Sequence, residues 1–246
     1  MTLRTCLLIS LFLSGLARPV WAEIVTVAVA ANFFATAENV AAAFEAETGH
    51  QVALVHGSSG KLFAQIMAGA PYDVFLSADS ERPARLILEG RVAGISRPYA
   101  FGRLVLVVRK DDPTTLQETL THTELRLAIA DPAVAPYGIA AREVLERFRG
   151  ENWATNVVFG ESVGQAFTFF ATGNTEMALV AKSQTLLSDI ELFEILVPED
   201  FHSPVRQDAV LLARAAGNPA AVAFYTFLDA SLARSIIVEA GYGVRE

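Results

Sequence analysis

Hydrophobic residues along the chain switch repeatedly between two spacings. Residues 24–30 (IVTVAVA) are β-branched and apolar on both faces, the pattern of a strand buried in a parallel sheet. Phe34, Ala35, Val40, Ala43 and Phe44 then recur at helical spacing until Gly49 stops the segment. Residues 51–55 predict a second strand and 62–68 a second helix, ended by Gly69-Ala70-Pro71; residues 73–76 and 82–89 repeat the pair up to Gly90. After an irregular stretch around Arg97-Pro98-Tyr99 the pattern restarts: strands at 104–108 and 125–130, a helix at 139–148, then strand, helix and strand at 157–159, 163–171 and 177–180. Residues 209–212 read as a returning strand, and 220–240 as long alanine-rich helical sequence. Alternation of this kind predicts an α/β fold with mainly parallel sheets flanked by helices. Two lobes are expected, one of residues 23–103 plus 209–246 and a second, 104–208, inserted into it, with a ligand cleft between them.

Composition adds a compartment. With 246 residues, 52% of them hydrophobic, the chain has ample material for two cores. Its first residues join Arg4 to an apolar run from Leu7 to Leu16 and then Val20-Trp21-Ala22, the three parts of an export signal cleaved after Ala22. Residues 1–22 are therefore expected to be removed and the mature protein to be periplasmic. Cys6, the only cysteine, would leave with that segment, so no disulfide is available. The mature chain would carry 17 Lys and Arg against 27 Asp and Glu, a formal charge of −10, which argues against nucleic acid or an anionic membrane as partner.

The chemistry is sparse. His50, His56, His122 and His202 show no metal-ligand spacing, and nothing singles out a pair of carboxylates. The stretch HGSSGKL (56–62) looks like part of a nucleotide loop. A Walker A loop, however, needs four residues between its glycines and a hydroxyl after the lysine; here two residues separate Gly57 from Gly60, and Leu62 follows Lys61. What remains is a strand running through small polar residues into a helix, a geometry that offers free amides and a positive dipole end to an anion. Similar junctions stand at Ala31-Asn32, at Pro136-Tyr137-Gly138 and at Glu161-Ser162-Val163-Gly164. Each is also explained by helix capping, Ser58 or Ser59 included. Gathered at the carboxyl ends of strands they would form an uncharged anion trap.

These residues also carry a resemblance. Residues 29–33 (VAANF), 57–62 (GSSGKL), 69–79 (GAPYDVFLSAD), Asp131-Pro132 through Pro136-Tyr137-Gly138, and Ala240-Gly241-Tyr242 resemble, in order and over nearly the whole mature chain, the periplasmic molybdate-binding proteins of ABC importers, the ModA family. The resemblance implies a two-lobed type II periplasmic binding protein that is no enzyme and needs no cofactor. Its ligand would be molybdate or tungstate, its partner a membrane permease, and it would work as a monomer. It implies that the oxyanion is held by Ala31, Asn32, Ser59, Tyr137 and Val163, with no direct protein ligand to the metal. A side-chain amide donor is expected at Asn32, whereas the tyrosine hydroxyl that some members add is absent where Ala181 stands. Other readings of the same trap are a receptor for sulfate, phosphate or an organic anion, and an exported enzyme acting on a phosphorylated or sulfated substrate.

Overall fold

The computed structural model describes residues 22–109 and 115–244. The expected export signal therefore lies, apart from Ala22, outside the described residues. Two five-stranded sheets make the two lobes. In the first, β1 (Ile24–Ala30) lies between β2 (Gln51–Gly57) and β3 (Val74–Leu76), and the order is β2-β1-β3-β10-β4, with β4 at Arg97–Gly102 and β10 at Val205–Leu211. In the second, the order is β7-β6-β8-β5-β9, from β5 (Leu104–Val108), β6 (Leu127–Ala130), β7 (Val157–Gly160), β8 (Met177–Ala181) and β9 (Phe193–Leu196).

Both sheets are mixed, and in the same way. β1 pairs in parallel with β2 and β3, while β10 runs antiparallel to β3 and β4. β6 pairs in parallel with β7 and β8, while β5 runs antiparallel to β8 and β9. The antiparallel strands are those next to the crossings between lobes, β4 to β5 and β9 to β10. A strand that returns from the other lobe enters from the opposite end, which sets its direction. The second crossing comes earlier than the pattern suggested: β10 belongs to the first sheet from Val205, so residues 205–208 lie with the first lobe and not the second.

Helices cover both sheets. α1 (Phe34–Thr48), α2 (Ser59–Met67), α3 (Glu81–Leu88), α8 (Pro219–Phe227) and α9 (Ser231–Glu239) surround the first; α4 (Leu116–Thr121), α5 (Pro136–Arg149), α6 (Val163–Ala171) and α7 (Lys182–Leu186) belong to the second. The expected single helix over 220–240 is two, broken at Leu228–Ala230 and bent by 58°. Three cores result. Phe33, Phe44 and Phe224 fill one face of the first sheet and Leu62, Phe75 and Leu86 the other, while Leu104, Leu106, Val144 and Phe170 lie in the core of the second lobe. The inner parallel strands β1 and β6 are largely buried on both faces, as their continuous apolar runs require, while the edge strands β2 and β7 are partly exposed.

Candidate functional site

Four helices begin at the carboxyl ends of four parallel strands, two in each lobe. β1 leads through a single 3-10 turn, Ala31–Phe33, into α1, and its neighbour β2 leads into α2; β6 leads into α5, and its neighbour β7 into α6. The registers match: Ala30 faces Gly57 at the end of one pair, and Ala130 faces Gly160 at the end of the other. The two pairs of helix starts meet across the cleft around a cavity of about 10 Å³, lined by residues that include Ala31, Asn32, Ser59, Tyr137 and Val163. All five expected residues are thus brought together. No charged side chain is among the lining residues.

Capping and ligand roles separate at the serines. Ser58 is the N-cap of α2, its hydroxyl accepting from the Lys61 N–H, so Ser59 is released from that task. Ser59 is 1% exposed, and its Oγ accepts from the Ala78 N–H at 2.9 Å, which leaves its own proton free to donate. In α6 the cap is Ser162, bonded to the Gln165 N–H, and Val163 is the first helical residue. Pro136 opens α5 where its missing N–H costs nothing, and Tyr137 follows. Helix geometry leaves the N–H groups of Ser59, Tyr137 and Val163 without intrahelical acceptors, and no other backbone carbonyl among the described residues takes them.

Asn32 differs from expectation. Its side-chain nitrogen is committed to Gln207 Oε1 at 2.9 Å and to the Tyr242 hydroxyl at 3.0 Å, and is not left for a ligand. Its carbonyl accepts from Tyr242 at 2.7 Å and from Ser183 at 3.0 Å. The reason is burial: with 3% of Asn32 exposed, its amide must find partners inside the protein, and Gln207 on β10 and Tyr242 supply them. Ala181 ends β8 without a hydroxyl, and its N–H is taken by Gln184. Nearby, Tyr242 supplies a phenol to Asn32 instead. Burial, first, and then the neighbouring Tyr242 push the Tyr137 phenol well above the ordinary tyrosine range; burial does the same for Tyr242.

Contacts cross the cleft at its mouth. The Gly60 N–H donates to the Val134 carbonyl at 2.9 Å, and Lys61 pairs with Glu161, joining the start of α2 to the loops before α5 and α6. Lys61 is therefore a bridge between lobes at the surface and not a lining residue.

Residues 25–243 match the family model of the bacterial extracellular solute-binding proteins. Over 235 residues the chain is 43% identical to the molybdate-binding protein ModA of Rhodobacter capsulatus, covering 93% of this chain and 91% of that one. The chain belongs to the ModA family. The ModA fold is equally close: the periplasmic molybdate-binding protein of Azotobacter vinelandii superimposes with a TM-score of 0.84 at 34% identity, covering 90% of this chain and all of that one. The sulfate-binding protein SubI of Mycobacterium tuberculosis shares the architecture at a TM-score of 0.74 and 18% identity, over 89% of this chain and 86% of that one. Fold alone therefore does not choose the anion; the ModA relationship and the lining of the cavity bear on it.

Proposed function

We propose that this ModA-family protein captures molybdate, and tungstate with it, in the periplasm and hands it to the membrane permease of an ABC importer. The observation that carries the proposal is the cavity itself: four helix starts from two lobes, free N–H groups and one free serine proton, and no charged side chain in the lining. A tetrahedral dianion that leaves water loses strong hydration, and several aimed donors must replace it. The backbone N–H groups at Ala31 and Asn32, Ser59 through N–H and hydroxyl, and the N–H groups of Tyr137 and Val163 supply that set. Partial charges at the helix starts add to it without a full positive charge.

The cavity supports a compact inorganic ion over a sugar or an organic acid, since about 10 Å³ is room for little more than one small group. Molybdate and tungstate have nearly equal tetrahedra, and sulfate is smaller, so selection between the first two is expected to be weak and rejection of sulfate strong. Residues from both lobes complete the site, which supports a hinge closure about the β4–β5 and β9–β10 crossings as the signal read by the permease. Isothermal titration of the mature protein with molybdate, tungstate, sulfate and phosphate tests this. Tight binding of the first two alone is expected; sulfate bound as tightly as molybdate would refute the specificity, and no heat with any oxyanion would refute the anion trap.

A further inference from the structure

Under the anion cavity lies a buried polar cluster that the oxyanion reading does not use. Its centre is Gln207, fully buried on β10, one of the strands at the lobe crossings. Gln207 Oε1 accepts from Asn32 Nδ2 at 2.9 Å and from the Tyr99 hydroxyl at 3.0 Å. A bulge makes this convergence possible. Gln207 faces Ala100 across β4, but the next residue, Asp208, faces Pro98, so Tyr99 is passed over and its ring is re-aimed beneath the site.

The other end of the same amide is unfinished. Among the described residues neither Gln207 Nε2 nor the hydroxyl of Tyr137, a residue 1% exposed, makes a hydrogen bond of ordinary geometry, although the Gln207 amide lies near enough to the phenol to draw its pKa down against the effect of burial. These two orphans adjoin. Both lie over Gly102, where an added Cβ would stand 2.1 Å from the Tyr137 oxygen and 2.9 Å from Gln207 Nε2, so only glycine fits between them. Gly102 ends β4, immediately before the chain crosses to the second lobe. One buried donor and one buried acceptor, each costly while unpaired, therefore face each other at the hinge, one on a strand of the first sheet and the other on the first turn of α5 in the second lobe.

We propose that Gln207 is a positioning residue that couples the hinge to the anion cavity. Its Nε2–H donates to the Tyr137 hydroxyl when the lobes hold the anion, so that the Asn32 loop and the start of α5 are fixed to one strand. The proposal rests on the oxyanion reading and adds the element that transmits closure. A glutamine suits the task because it offers an acceptor to Asn32 and Tyr99 and a donor to Tyr137 while placing no charge behind a dianion. Glutamate would present only acceptors and a negative charge; leucine would present neither.

The test is a double-mutant cycle on the mature protein with sodium molybdate as the probe: Gln207→Leu, Tyr137→Phe and the double variant, by isothermal titration, beside the unfolding midpoint without anion. Tyr137→Phe is expected to weaken molybdate binding about tenfold without lowering the anion-free midpoint, because a buried hydroxyl with no formed hydrogen bond has none to lose and is costly to bury. The double variant is expected to bind no more weakly than Gln207→Leu alone. Wild-type affinity in Tyr137→Phe, or losses that multiply in the double variant, would overturn the coupling. Because Tyr137→Phe keeps the ring, its affinity decides the question even if Gln207→Leu does not fold. Failure of the unmodified protein to bind any oxyanion would instead overturn the underlying reading.

Discussion

Replacing Gly60 by alanine puts a methyl group where the backbones of the two lobes touch at the cleft mouth. The added Cβ would stand 2.8 Å from the Val134 carbonyl oxygen and 3.0 Å from the Val134 Cα, both backbone atoms that cannot swing aside. The lobes would have to separate by several tenths of an ångström, stretching the Gly60 to Val134 hydrogen bond now at 2.9 Å. Losing such a bond costs about 0.5–1.5 kcal/mol and crowding a packed contact about 1–3 kcal/mol. Together they amount to ~2–4 kcal/mol against the closed form, or roughly 30- to 1,000-fold in molybdate affinity at about 1.4 kcal/mol per decade. The first lobe alone should not suffer, because alanine is favoured over glycine within a helix by up to about 1 kcal/mol. Titration calorimetry with molybdate, read beside thermal unfolding of the anion-free protein, separates the two effects. An affinity within threefold of the unmodified protein would refute the reasoning, since the Gly60–Val134 contact could then be no part of the bound form.

Other outcomes follow from the same geometry. Ser59→Ala should weaken molybdate binding at least tenfold with little change in anion-free stability, whereas Ser58→Ala should cost about 1 kcal/mol of stability through the lost cap; the two are compared by calorimetry and urea unfolding. Lys61→Ala or Glu161→Gln should weaken binding by no more than about fivefold, with the difference fading in 0.5 M salt, because both partners are exposed and such pairs contribute little. Stability should fall steeply above pH 10. Burial raises the Tyr99, Tyr137 and Tyr242 phenols above their unfolded value, so stability is intact below about pH 10 and declines as pH rises past it, while unfolded tyrosines ionise and folded ones do not. The slope should approach about 1.4 kcal/mol per pH unit for each tyrosine, and phenolate absorbance of these three should appear only with unfolding.

Much of this architecture is legible along the chain, and what is hidden has physical reasons. β1, β5, β6 and β8 announce themselves because burial on both faces demands unbroken apolar runs. β4 does not: it begins Arg97-Pro98 and ends in Gly102, residues that read as a turn, yet its antiparallel partner β10 holds it. β9 is a short edge strand, half-exposed, with Glu194 in its middle. The start of β10 is disguised by Arg206, Gln207 and Asp208. Two of these are buried, Gln207 with its Oε1 bonded by Asn32 and Tyr99, and Asp208 with partners in Ser96 and Arg206. No local pattern distinguishes a polar residue with buried partners from one in water. The four helix starts were legible for the opposite reason, since small polar residues between a strand and a helix are a local signal. Gln207 and Gly102 gave none, because their role arises from a bulge and from a ring that arrives from the other lobe.

The order of strands also bears on how the protein is made. The second lobe's sheet is drawn from one continuous stretch, residues 104–196, and can assemble as soon as that stretch is available. The first lobe cannot. β10 lies between β3 and β4, so β4 has no neighbour on its inner side until residue 211 has arrived, more than a hundred residues later in the chain. Pairings that distant in sequence are slow to form and leave an open edge meanwhile. The interrupted sheet thus leaves the loops after β1 and β2 in an unfinished lobe until β10 has been made, and the cleft between the lobes is complete only then.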